Sequence, residues 1–203
     1  MFDHRVLPLL KRITLPLAQQ LVKMQVRADH VTVAGFVVGV FACVAVVLSQ
    51  FWLALVLLLL NRLADGIDGE LARLQEPTDS GAYLDIVLDF LFYNGFVVAF
   101  ILLNPEANAI AGAVLMLSFV GTGISFLAFA TLAAKRGISN PRYPSKSLYY
   151  LGGLTEGTET VIVFALFCLL PQYFAILAYC FAALCFITAA MRIVGGYQTL
   201  RAD

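Results

Sequence analysis

Apolar residues run through this chain in blocks of about 20, the length that crosses a bilayer as a helix. Six blocks stand out, at 31–50, 51–73, 81–103, 109–133, 147–170 and 172–195. Helix breakers separate most of them: Pro77 with Thr78, Asn104-Pro105, the stretch 137–144, and Pro171. Ahead of the first block, residues 6–26 alternate apolar positions with Lys11, Arg12 and Lys23, which suits an amphipathic helix lying on a membrane surface. The pattern predicts an all-α integral membrane protein, six transmembrane helices preceded by a cytosolic amphipathic surface helix. Residues 1–203 form one membrane domain, with 1–30 juxtamembrane, 31–195 spanning and 196–203 a cytosolic tail.

Charge fixes the expected orientation. Six spans put both termini on one side, with loops at 1–30, 62–80, 134–147 and 192–203. Every lysine and arginine falls there: Arg5, Lys11, Arg12, Lys23, Arg27, Arg62, Arg73, Lys135, Arg136, Arg142, Lys146, Arg192 and Arg201. The opposite loops carry none, so the charged side is expected to be the cytosol. A wrong helix count would scatter these charges.

Composition agrees. The chain is 61% hydrophobic and 13% charged, with a mean hydropathy of +0.89, whereas soluble domains are roughly 45–50% apolar and about 25% charged. Zero net charge matters less than where the charges sit, and no nucleic-acid partner is expected. Cys43, Cys168, Cys180 and Cys185 lie in apolar runs without a CxxC or Cys/His cluster, so neither a zinc site nor a disulfide framework is expected. The N-terminus is too interrupted by basic residues for a signal peptide.

The chemistry concentrates between residues 61 and 89. Asp65 and Asp68 lie three apart near the cytosolic end of the second span, and Asp85 and Asp89 four apart near the start of the third. Each spacing puts its pair on one helical face, and a short hairpin lets the faces meet. An aspartate inside a membrane costs about 2.5–3.5 kcal/mol on insertion scales, and four together repel. Arg62 and Arg73 are too few to compensate. Divalent cations with oxygen ligands are the natural answer, Mg²⁺ commonly bridging carboxylates to phosphates. Gly69 and Ala72 lie on the face of Asp65, and Gly81 one turn before Asp85, leaving gaps for a phosphorylated ligand that Arg73 would hold through its planar fork.

The run Asp65-x2-Asp68-Gly69-x2-Ala72-Arg73, then Gly81-x3-Asp85-x3-Asp89, resembles the signature of the CDP-alcohol phosphotransferase family of phospholipid synthesis, and six spans, chain length and the surface helix fit it too. The family usually has eight residues between the arginine and the second glycine; seven stand here, 74–80, and the shortening falls in the loop. The resemblance implies that Asp65, Asp68, Asp85 and Asp89 bind two ions of Mg²⁺ or Mn²⁺, Asp89 also being the general base. It implies that Asp68, Gly69, Ala72, Arg73 and Gly81 line the cytidine diphosphate pocket, with Asp29 and Thr32 at the start of the first span matching a nucleotide-side entry in part. It further implies a CDP-diacylglycerol-like lipid donor, a small polar alcohol acceptor, release of CMP, a bacterial-type inner membrane and a homodimer.

Other features carry expectations of their own. Lys135, Arg136, Arg142 and Lys146 are candidates for an anionic acceptor, or ordinary cytosolic anchoring charges. Glu156 and Glu159 fall inside the fifth span, where an acid orders the site, contacts the acceptor or bonds a neighbouring helix. Gly35 and Gly39 form a GxxxG pair that favours close helix contact. An intramembrane prenyltransferase would need a second aspartate-rich motif, and a transporter would show inverted repeats and broken helices at the midplane. A calcium loop at 65–70 fails because Ile67 and Gly69 stand where oxygen ligands are needed.

Overall fold

The computed structural model describes residues 3–138 and 153–202, and among them every regular element is helical. The helices are α1 (Asp3–Lys23), α2 (Ala28–Val47), α3 (Phe51–Gln75), α4 (Asp79–Leu103), α5 (Pro105–Lys135), α6 (Gly157–Leu169) and α7 (Phe174–Ala202), with a 3-10 turn at Pro171–Tyr173 before the last. Four are long and apolar enough to cross a membrane: α2, α4, α5 and the segment Pro171–Arg201. α3 has 25 residues but carries the charged stretch. α6 has 13 described helical residues, about 20 Å of rise against a hydrocarbon core of about 30 Å.

Small residues set the tightest packing. Gly35, Gly39, Ala42, Ala45 and Val46 form the buried stripe of α2, which lies against both α3 and α4. A Cβ added at Gly35 would stand 2.9 Å from the Cβ of Ala64, so α2 and α3 approach as closely as glycine allows. The GxxxG pair therefore serves contacts inside the chain.

The turn between α3 and α4 is three residues long. Glu76 closes α3 with φ +76°, a left-handed conformation costing a non-glycine residue of order 1 kcal/mol. Pro77 follows, and Thr78 caps α4, its hydroxyl accepting from the Gly81 amide at 3.1 Å. Asn104 caps α5 in the same way through Ala107, ahead of Pro105 at the first helical position.

Away from this turn the bundle is held by aromatic rings. Phe96 stacks on Phe164 at 4.8 Å, Phe100 on Phe174 at 4.9 Å, and Phe167 tilts against Phe174 at 4.7 Å. All five rings are fully buried. They tie α4 to α6 and α7, while α5 packs along α4 and α7.

Two boundaries depart from the sequence pattern. The fifth apolar block was expected to be helical from 147, but residues 153–156 are not helical and α6 begins at Gly157; residues 147–152 lie outside those described. The cause is a capping box: Glu156 accepts from the Glu159 amide while Glu159 accepts from the Glu156 amide. These acids stand at a helix entry rather than within the span. At the other end, α7 runs through Gly195-Gly196 to Ala202, where a tail was expected. Arg136, at the end of α5, donates to the Leu200 carbonyl at 2.6 Å and ties those last turns down.

Candidate active site

The hairpin brings its acids together as the spacing requires. Oxygens of Asp65, Asp68 and Asp85 lie within 4.8 Å of one another. They line a cleft with Asp89, Thr32, Gly35, Asn61 and Arg62. Asp68 is buried at 5% exposure, whereas Asp65 and Asp89 keep 37% and 29% of their side chains exposed. Hard oxygen donors converging from two helices suit a divalent ion such as Mg²⁺ or Mn²⁺, so the residues present fit that cofactor.

Asp89 differs from the other three. Arg62 Nη2 donates to its Oδ1 at 2.8 Å and Nη1 to its Oδ2 at 3.4 Å, whereas the nearest Asp65 oxygen is 3.8 Å from the guanidinium. Arg62 is itself fixed. Its Nε donates to Asn61 Oδ1 at 2.8 Å and its Nη1 to the Tyr93 hydroxyl at 2.9 Å. The cation sits 5.1 Å from the ring centroids of both Phe92 and Tyr93. Asn61 is buried and donates to the Gly35 carbonyl at 2.8 Å, so α2 is part of the same network.

The expected nucleotide residues cluster beside these acids. Gly69 leaves room for the Arg73 guanidinium, whose nearest nitrogen would stand 3.6 Å from an added Cβ. Ala72 is half-buried one turn past Asp68. Gly81 faces α2: an added Cβ would lie 3.0 Å from Asp29 Oδ1 and 3.1 Å from Thr78 Oγ1. Asp29 is also 3.4 Å from Arg27. Thr78 and Ser80 hydroxyls lie 3.3 Å apart at the helix entry.

The proposed acceptor residues are more scattered. Lys135 and Arg136 are exposed at the end of α5, Glu156 caps α6, and Arg142 and Lys146 lie outside the described residues.

Several participants were not read from the sequence. Arg62 was taken only as a nearby charge, because its partner is 27 positions away. Glu70, at 7% exposure, accepts from Arg73 at 2.9 Å and faces Lys11 of α1 at 3.9 Å; nothing in the sequence singled it out. Arg192 was assigned to a loop, yet it is 9% exposed within α7, donates to the Thr122 carbonyl at 3.1 Å and lies 5.5 Å from the Phe126 ring. A lone arginine inside a long apolar run marked it.

Comparison with known proteins supplies an independent line. A sequence profile described as CDP-alcohol phosphatidyltransferase matches residues 25–194. The chain is 50% identical over 201 residues to the inner membrane protein YnjF of Escherichia coli (strain K12), covering 99% of this chain and 98% of that one. An uncharacterized protein of Aquifex aeolicus (strain VF5) is 33% identical over 171 residues, 80% of this chain and 79% of its own. Two crystal structures of Mycobacterium tuberculosis phosphatidylinositol phosphate synthase (PgsA1) share the fold. The one with CDP-DAG bound has a TM-score of 0.65 at 20% identity, covering 92% of this chain and 94% of that chain. The one in complex with manganese and citrate has a TM-score of 0.70 at 18% identity, covering 91% and 88%.

Proposed function

Because the chain belongs to the CDP-alcohol phosphatidyltransferase family, we propose that it moves a phosphatidyl group from CDP-diacylglycerol to a small polar alcohol, releasing CMP. Membership itself makes the protein a membrane-bound, divalent-metal-dependent transferase of substituted phosphate groups in phospholipid synthesis. The donor is the finer step, and CDP-DAG in the tuberculosis neighbour supports it.

One observation carries the reading: three carboxylates from two helices meet within 4.8 Å in a cleft shared with Asp89. Asp65, Asp68, Asp85 and Asp89 would hold Mg²⁺ or Mn²⁺, two ions in the fullest form of the proposal. When bound, these supply Lewis-acid charge that offsets the diphosphate and the leaving CMP. Arg73, poised over Gly69, takes a phosphate oxygen, and Gly69, Ala72 and Gly81 leave space for the nucleotide beside Asp68, with Asp29 and Thr32 at its edge. Asp89 accepts the proton of the acceptor hydroxyl. The new phosphorus–oxygen bond forms to the acceptor as the bond to CMP breaks, with no covalent enzyme intermediate. Lys135, Arg136, Arg142, Lys146 and Glu156 are the proposed acceptor side, the cations suiting an anionic alcohol.

The same proposal covers topology and assembly. α3 and the block containing α6 complete six spans, α1 lies on the cytosolic membrane surface with Thr14 and Ala18 against α3 and Ile13 and Leu17 outward, and both termini face the cytosol of a bacterial-type inner membrane. The all-inside placement of Lys and Arg supports this. A homodimer is included; since Gly35 and Gly39 are spent within the chain, its interface must use other residues.

The test is direct. Purified protein with CDP-diacylglycerol, Mg²⁺ or Mn²⁺ and a panel of polar alcohols, glycerol phosphate, inositol compounds and serine among them, should release CMP only with metal and one acceptor. Absence of CMP release from every cytidine-linked lipid would refute the donor assignment.

A further inference from the structure

α3 carries one buried acid outside the aspartate pattern. Glu70 is 7% exposed and stands two positions past Asp68, about 200° around the helix from it. Both of its carboxylate oxygens face a cation, one from its own helix and one from α1. Oε1 accepts from Arg73 Nη2 at 2.9 Å, and Oε2 lies 3.9 Å from Lys11 Nζ.

α1 is the backing of this arrangement. Gly66 stands one turn before Glu70 on the same face of α3, and an added Cβ there would be 3.0 Å from Thr14 Cγ2. Thr14 is 2% exposed and Ala18 is fully buried, so α1 presses closely on the face from which Glu70 projects. Further along α3, Gln75 Nε2 donates to the Val26 carbonyl at 2.6 Å. The link that follows α1 is thereby tied to the same helix.

Arg73 is placed differently. Its side chain is 61% exposed, and among the described residues Glu70 is its hydrogen-bond partner. The guanidinium lies beside Gly69, its nearest nitrogen 3.6 Å from where a Cβ would stand. A long, solvated side chain loses rotamer freedom when it grips an anion, and holding it beforehand reduces that loss. One bond through Nη2 does this while Nη1 and Nε keep donors free for an incoming oxygen.

We propose that Glu70 is a positioning residue for Arg73: backed by α1, it holds the guanidinium over Gly69, where the diphosphate of the cytidine-linked lipid is received. This rests on the phosphatidyl-transfer reading above and adds the surface helix to the donor pocket. Glu70 acts only through Arg73 and takes no part in the chemical step.

The test uses the full-length protein in nanodiscs, with CMP release followed against CDP-diacylglycerol concentration. Glu70→Gln should raise the donor KM about threefold and Glu70→Ala about tenfold, each with kcat unchanged, the signature of lost ground-state binding. In an Arg73→Ala background, adding Glu70→Ala should change the donor KM by less than about twofold, because the group it positions is already gone. A donor KM that stays at or falls below the wild-type value in both Glu70 variants overturns the positioning role. Full additivity with Arg73→Ala overturns it too. Mn²⁺ affinity, measured by calorimetry, should stay within about threefold of wild type in Glu70→Gln; a loss matching that of Asp68→Asn would mean that Glu70 supports the acidic cluster instead. Should Glu70→Ala fail to fold, Glu70→Gln alone and in the Arg73→Ala background carries the same test. If the wild type releases no CMP from any cytidine-linked lipid, the functional reading fails, an outcome distinct from each of these.

Discussion

Helix α4 is two different objects along its length. Its first half presents Asp85 and Asp89, half-buried and facing like charges across the hairpin. Its second half presents Phe92, Phe96 and Phe100, almost wholly buried and stacked on rings of α6 and α7. α3 divides the same way, with Ala54 and Leu58 buried at one end and Asn61, Asp68 and Glu70 at the other. The lesson is one of load. Four carboxylates repel, and a short turn alone would let the helices splay to relieve them. The aromatic end, with the glycine contact between α2 and α3, fixes the helix axes, so the repulsion that Arg62 leaves unrelieved is left for a charged ligand to offset. One end supplies position; the other holds a demand for cation.

That division can be broken from either side. The largest effect is expected from Asp68→Asn, which removes a buried carboxylate of the proposed metal set. CMP release should fall by about a thousandfold, roughly 4 kcal/mol of transition-state stabilisation, while thermal unfolding followed by circular dichroism stays near wild type. Unfolding along with inactivity would mean the acids hold the fold instead. Phe96→Ala should do the converse, lowering stability by about 3 kcal/mol as the stack on Phe164 is lost, with kcat of the folded fraction preserved. Gly35→Ala probes the join between the two ends. Its methyl would meet Ala64 at 2.9 Å, and because neither group can swing away the helices must part, at about 2 kcal/mol. Both melting temperature and kcat should drop together. The smallest effect is expected from Glu70→Gln. Arg73 loses its charged partner, and the donor KM should rise by about threefold, as suits a half-exposed ion pair, with kcat unchanged. A kcat change there would place Glu70 in the chemistry.

Much of this was readable in advance. The helices follow from apolar runs and from breakers at Pro77, Asn104-Pro105 and Pro171. The pairing of Asp65 with Asp68, and of Asp85 with Asp89, follows from the helical repeat, and their meeting across a three-residue turn follows from chain connectivity. Local effects were misread where a polar group competes with a pattern. Glu156 and Glu159 look like intramembrane acids in a hydropathy window, but their side chains cap backbone amides in the first turn of α6, which begins at Gly157. Residues 196–203 were expected to be a tail, but the last turns of α7 are tied to Arg136.

Spacing along a helix is a property of the chain itself, so the sequence determined which aspartates share a face and that they would gather at one end of the hairpin. Which carboxylate receives Arg62, which glycine faces which methyl, and which arginine is buried in α7 depend on contacts between residues 26 to 70 positions apart. Those are decided only when the aromatic stack and the glycine contacts fix how the helices cross. Pair interactions inside a bundle act over a few ångströms, and only the assembled packing sets distances that fine.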